Sequence, residues 1–498
     1  MNIVARVVLM LAASLSGTAF AQTSSRLSGA FLHFGYSSND EVIKDNQIPL
    51  LLDELKDLGN DTIIINQIRA GKTQACAASS SQFEWVKGFP SKLSLVLQHA
   101  SSRGIKVYVG TTLSSGCWNF WQGSNSFAIE QDAYQNLATV AQQFGAHPAF
   151  AGWYISDEPG PLGTDKHDHY RRLTTALKAI SPGKVVAVAP HFSEVDIFSP
   201  AVIAARASAF RNATGVDIQV WQDNLGATKL FHWSRSGWSS EQYYDALASA
   251  LGSGGVWADI EIFNYGRPLI NRVNGITTGG YRSASATRIN QQLWSARSVA
   301  KRVSWLHQWH MSEIIGPERG YVEAPLAQGL YRSIYGIGGA RRLTTLNYSG
   351  YALGTTPHAS YPDTTAYELF DGRTGDPMNP NDPAWIGGPG AGGIVKVTVD
   401  LGSAKQTDWI GLHMLTFPSW GIRASTSTDV YCGNTQAPLI KIATLTSPFP
   451  ASALLTSDGE EYLLGNSSPL GKMCRILELH VRTNGSWLFM SELELASD

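Results

Sequence analysis

Residues Phe150 to Gly160 read FAGWYISDEPG: an apolar run that ends in Ser156-Asp157-Glu158 and is stopped by Pro159-Gly160. A short, continuous apolar run bounded by turn residues is the mark of a strand buried on both faces, the kind found in parallel sheets. Seven similar runs surround it: Gly29 to Tyr36, Thr62 to Arg69 and Lys106 to Thr112 before it, then Val185 to Pro190, Asp217 to Trp221, Gly255 to Phe263 and Arg302 to Trp309. Amphipathic stretches alternate with them, among them Ile48 to Leu58, Lys92 to Arg103, Ala133 to Phe144, His169 to Ile180, Glu241 to Leu251 and Ala284 to Ala300, and Ala324 to Tyr335 closes the series. Eight β-runs with helices between them predict an α/β fold, a (β/α)8 TIM barrel.

From about Ser360 the helical period disappears. Ile394 to Leu401, Trp409 to Leu415, Ile476 to Arg482 and Trp487 to Leu495 predict antiparallel strands of an all-β sandwich. The expected division is 1–21 signal peptide, 22–345 barrel, 346–359 linker and 360–498 sandwich. The signal peptide is read from Arg6, the apolar run Val7 to Ala13 and Ala19-Phe20-Ala21. Its apolar core is too short to span a bilayer, so a secreted or periplasmic protein without an integral membrane segment is expected.

Lys and Arg number 38 against 40 Asp and Glu, which gives no basic footprint for nucleic acid. The 15 Trp and 18 Tyr supply flat faces of the kind sugar rings pack on. The four Cys fall into two neighbourhoods, predicting the disulfides Cys76–Cys117 and Cys432–Cys474.

In such a barrel the site lies where strands end. Glu158 ends the fourth run and Glu261, flanked by Ile260 and Ile262, the seventh; a carboxylate between two Ile is costly in a strand unless it faces a polar interior. Strands four and seven oppose each other across the mouth, which suits glycoside hydrolysis: one carboxyl gives a proton and the other attacks or activates water. A separation of about 5–5.5 Å would retain configuration, and about 6.5–9.5 Å would invert it. Asp157 and Asp259 are the competing acids, Asp259 on the same side as Glu261 and Asp157 alternating away from Glu158.

Other strand ends offer substrate contacts: His33 and Tyr36; Asn66, Gln67 and Arg69; His191; Gln222, Asp223 and Asn224; Asn264; and Trp305, His307, Gln308, Trp309 and His310. Trp118, Trp121, Trp233 and Trp238 are candidate sugar platforms. No metal or organic cofactor is expected at the site.

The stretches Gly152 to Pro159, Trp221 to Gly226 and Trp257 to Phe263 resemble a family of uncharacterised bacterial (β/α)8 proteins regarded as glycoside hydrolases, a domain of unknown function, over roughly Leu27 to Tyr335. More distantly they resemble the clan of retaining glycosidases with glutamates on strands four and seven. That resemblance implies Glu158 as acid/base, Glu261 as nucleophile, and Trp305 or Trp309 under the sugar. The clan usually has Asn before its acid/base; Asp157 stands there in this chain.

The tail resembles a discoidin (coagulation factor 5/8 type C) domain through Leu369-Phe370-Asp371-Gly372, Trp385, Val397 to Gly402, Gly421 to Ser425 and Ser491 to Leu495. That implies a jelly-roll sandwich that binds carbohydrate; a structural Ca²⁺ is left open, its ligands unassigned. The expected partner is a polysaccharide or oligosaccharide, met by a monomer. A non-catalytic glycan-binding or adhesion protein and a transglycosylase stand as alternatives.

Overall fold

The computed structural model describes residues 25–35, 39–72, 79–113, 123–160, 167–192, 198–227, 238–265, 269–271, 275–277, 281–319, 321–343, 350–364, 367–390, 393–435, 438–447 and 458–498. Strands β1 (Gly29–Leu32), β2 (Thr62–Ile65), β3 (Lys106–Gly110), β4 (Phe150–Ile155), β5 (Val185–Val188), β6 (Ile218–Gln222), β7 (Val256–Ile260) and β8 (Arg302–Ser304) form a closed barrel in sequence order. Every neighbouring pair is parallel, including β8 with β1. All eight predicted runs are barrel strands.

The outer helices are α1 (Ile48–Asp57), α2 (Ser91–Ser102), α3 (Gly123–Asp132, continued to Phe144), α4 (His167–Ile180), α5 (Pro200–Thr214), α6 (Ser240–Leu251), α7 (Ala286–Ser295) and α8 (Ala324–Tyr335). In α1, Ile48, Leu51, Leu52 and Leu55 are buried, the spacing that puts one face on the barrel. Ser199 caps α5 and left-handed Gly215 ends it. In β4 the strand crossing is close enough to demand glycine: a Cβ on Gly152 would lie 2.3 Å from the Val185 carbonyl oxygen.

Ring contacts fix which side chains point inward. Phe31 of β1 meets Tyr154 of β4 edge-on at 5.2 Å, and Tyr108 of β3 meets Trp257 of β7 at 5.2 Å. Neither pair is on adjacent strands, so both meet across the interior. Strand alternation then places Ser156, Asp259 and the position of Glu261 on the inner side, and Asp157 on the outer side.

The C-terminal part is two antiparallel sheets. Strand β9 (Arg341–Arg342), β10 (Gly350–Leu353), β11 (Ile386–Pro389), β12 (Ile394–Thr407), β13 (Trp409–Thr416), β14 (Ser427–Gly433), β15 (Ile440–Thr446), β16 (Glu460–Gly465), β17 (Lys472–Arg482) and β18 (Trp487–Ser497) supply them. One sheet runs β9-β18-β13-β16 with β11 also on β18; the other runs β10-β12-β17-β14-β15. This corrects the expected boundaries. The 346–359 stretch contains β10, paired with β12, and β9 inside the expected barrel range pairs with β18, so the sandwich begins directly after α8.

Sandwich and barrel share a core. Trp409, Leu463 and Ala496 belong to the same contiguous apolar cluster as the barrel strands, and Trp409 packs on Gly329 of α8, where a Cβ would sit 2.4 Å from its ring. The Cys432–Cys474 disulfide is present and joins β14 to β17 across 42 residues of chain. Replacing both cysteines by alanine is expected to cost about 2–4 kcal/mol, read as a lower urea midpoint for the sandwich. An unchanged midpoint would mean that the cross-strand hydrogen bonds alone hold β14 on β17.

Candidate active site

Four carboxyl groups, Glu158, Asp223, Asp259 and Glu261, lie at or near the ends of β4, β6 and β7. Glu261 follows β7 directly and is buried; its Oε2 accepts the backbone N–H groups of Gly226 and Ala227, both at 2.7 Å, from the loop after β6. One oxygen is thus pinned by two fixed donors. Burial first, then the Asp223 charge, push the Glu261 carboxyl up to about 8, against the two N–H groups and Arg288, which favour the ionised form.

Asp223 braces Glu261 from behind. Its Oδ1 accepts from Glu261 N at 3.3 Å and Leu225 N at 3.2 Å, and its Oδ2 accepts from Gln292 Nε2 of α7 at 2.6 Å. Burial raises it to about 6. From the same helix, Arg288 Nη2 donates to the carbonyl oxygens of Glu261 at 3.3 Å and Phe263 at 2.5 Å, and Gln292 also reaches the Glu261 carbonyl at 3.3 Å.

Asp259, two residues before Glu261, is fully buried, and among the described residues neither of its oxygens has a hydrogen-bond partner. Burial, then the charges of Glu261, Asp223 and Glu158, hold its carboxyl well above the usual carboxylate range. Strand parity places this raised carboxyl in the barrel interior. Glu158, half-buried, lies beyond β4 on the parity of Tyr154, whose phenol is held well above its ordinary value by burial and then by the charges of Glu158, Asp259 and Asp157.

Other strand ends carry His33, Asn66, Gln222, Trp305 and Trp309. Asn66 Nδ2 lies 3.4 Å from His33 Nδ1, and Trp309 meets the His33 ring edge-on at 5.4 Å. Trp305 packs on Phe31 at 4.7 Å. Burial, with Arg319 nearby, lowers His33 to about 3, which keeps its ring neutral at ordinary pH. Gln308 Nε2 is 3.5 Å from the His33 carbonyl oxygen, Gln222 Nε2 is 3.4 Å from that of Ala189, and Asn264 is half-buried on the hairpin strand Phe263–Tyr265.

Four of the candidate site residues bond side chains on outer helices. The Arg69 guanidinium holds Asp132 at 2.8 Å, donates to the Phe83 carbonyl and stacks over Trp85 at 4.3 Å. Asp157, turned outward by strand alternation, accepts the Tyr170 hydroxyl of α4 at 2.7 Å. Asp223 faces α7, as above. His307 points to α1, with Nε2 3.2 Å from Glu54 Oε1. Each is buried and bonds a side chain on an outer helix.

Trp238 is exposed just before α6. The signal peptide, Tyr36, Trp118, Trp121, Trp233 and the pair Cys76 and Cys117 lie outside the described residues. Arg288, Gln292 and the amides of Gly226 and Ala227 are site groups the sequence reading missed. The i,i+4 spacing of Arg288 and Gln292 was the available signal, since it puts two long polar side chains on one helix face. Among the described residues no group of three or more His, Cys, Asp or Glu could hold a metal ion, and no helix is long and apolar enough to cross a membrane. In the sandwich, Glu492 pairs with Arg342, and Asp429 with Lys441 and Arg482, so these acids already face cations of the chain itself.

The chain belongs to the family described as Domain of unknown function (DUF4434), whose profile matches residues 27–315. No curated protein matches it. Among solved structures, it is similar to one described as a putative alpha-L-fucosidase from Bacteroides thetaiotaomicron, at 18% identity over 63% of this chain and 94% of that one, with a TM-score of 0.48. A glycosyl hydrolase family 2 member from Bacteroides cellulosilyticus matches at 10% identity over 94% of this chain and 46% of that one, TM-score 0.40. A family 32 CBM from C. perfringens, solved with galactose, matches at 14% identity over 32% of this chain and 99% of its own, TM-score 0.23.

Proposed function

We propose that this chain is an exported glycosidase that cleaves a polysaccharide or oligosaccharide with Glu158 as acid/base and Glu261 as nucleophile, its sandwich holding the glycan. The observation that carries the reading is Asp259. Its buried carboxyl is raised by burial and then by the charges of Glu261, Asp223 and Glu158, which supports a site shared by acids from the ends of β4, β6 and β7. Two carboxyls are what glycoside hydrolysis requires, and Trp305, Trp309, His33 and Asn66 at neighbouring strand ends are residue types that suit a sugar. Pinning Glu261 Oε2 on two amides fixes the carboxyl and leaves its other oxygen for attack.

Raised to about 8 by burial and Asp223, Glu261 must lose its proton to attack. Hydrolysis is therefore expected to rise with pH through about 8, measured as the ascending limb of kcat/KM. A limb that instead falls through about 8 would make Glu261 the proton donor and exchange the two roles.

The function itself is tested by reducing-sugar release from a panel of bacterial and plant polysaccharides. No release from any of them, with glycan binding retained, would favour a non-catalytic glycan-binding protein. Products lengthened at high acceptor concentration would identify a transglycosylase.

A further inference from the structure

Helix α7 is held from two sides. Toward the barrel mouth, Arg288 and Gln292 grip the backbone of Glu261 and Phe263 and the carboxyl of Asp223. Toward the sandwich, Glu494 of β18 accepts the Thr287 N–H at 2.7 Å and also its hydroxyl, and Ser285 Oγ lies 3.4 Å from Glu461 Oε1 of β16. Gln291 and Thr374 bond each other at 3.3 Å, and Gln291 donates to the Gly372 carbonyl at 3.1 Å.

The two glutamates sit at the first turn of the helix, where free N–H groups and the helix dipole favour negative charge. Both are buried, and burying two carboxylates needs a compensating cation. Fully buried His413 of β13 supplies it, with Nδ1 2.8 Å from Glu461 and Nε2 3.8 Å from Glu494. Burial lowers the Arg288 guanidinium from its ordinary value, and the charges of Glu461, then Asp223 and Glu261, oppose that shift.

We propose that the sandwich is a working part of the barrel site: His413, Glu461 and Glu494 are positioning residues that fix α7, and α7 in turn fixes Glu261 and the guanidinium beside it. The kinetic half of this inference rests on the glycosidase reading, whereas the electrostatic half is read at Glu261 itself.

The test uses the full chain with Glu494→Gln, Thr287→Val and Thr287→Ser, each checked for folding by circular dichroism. The Glu261 carboxyl is followed by ¹³C NMR titration and assigned by its loss in Glu261→Gln. Thr287→Val and Glu494→Gln are expected to move that titration by about half a pH unit or more. They should also lower kcat about tenfold with KM within about twofold, and Thr287→Ser, which keeps the hydroxyl, should restore both. If Glu494→Gln does not fold, the Thr287 pair decides. Folded variants whose Glu261 titration matches the wild type would overturn the proposal. A wild type that hydrolyses no glycan would sink the glycosidase reading alone, because the titration decides this inference without turnover.

Discussion

Glu158→Gln and Glu261→Gln are each expected to lower glycan hydrolysis by about 10³-fold or more while leaving the chain folded, because each removes a group that moves a proton or forms a bond in the reaction. The Glu261 variant has a second signature. Its amide oxygen can still accept from the Gly226 and Ala227 amides, so the pinning contacts survive. The wild-type carboxyl is an acid whose folded pKa is raised from 4.5 to about 8. Its stability contribution is full below the unfolded pKa and is lost as pH rises through about 8. Above that pH Glu261→Gln should therefore unfold at a urea concentration equal to or higher than the wild type does. A variant that is inactive and also unfolds earlier at pH 9 would place Glu261 among residues that hold the fold rather than residues that do chemistry.

The barrel was legible because each strand is a continuous apolar run, buried on both faces and bounded by turn residues, as Phe150 to Gly160 shows. The start of the sandwich was not. Strand β10 is four residues, Gly350–Leu353, at a sheet edge within a Gly-, Ser- and Thr-rich stretch, where too few side chains alternate to show a period. At the site, strand-end position was readable for Glu158 and Glu261, and strand parity for Asp259. The partners were not readable, since they come from distant chain: Asp132 holds Arg69 from 63 residues away and Gln292 holds Asp223 from 69. A polar residue at a strand end looks the same in sequence whether it faces substrate or an outer helix. One-residue parity decides between them, and parity could be fixed only once Phe31 and Tyr154 were seen to touch across the barrel.

Parity does not reach between domains, and there the strongest consequence is for stability. His413→Ala is expected to cost about 3–5 kcal/mol, the scale for leaving buried charge without its partner, because Glu461 and Glu494 would both remain under the N-terminus of α7. The pH dependence follows from His413 itself, whose pKa the two glutamates raise from 6.5 to about 10 against its burial. A histidine raised in the folded state stabilises fully below about 6.5 and loses that contribution as pH climbs through about 10. The wild type should thus weaken between those limits. Glu261 and Glu492, both raised to about 8 by burial, weaken the fold over part of the same range. The wild-type curve alone therefore cannot isolate His413, but the difference between wild type and His413→Gln can, since both chains carry the two acids. That difference, measured by urea unfolding, should be largest near pH 6 and shrink toward pH 10. A difference that stays constant across the range would mean that His413 is neutral in the folded protein and holds the glutamates by hydrogen bonding alone.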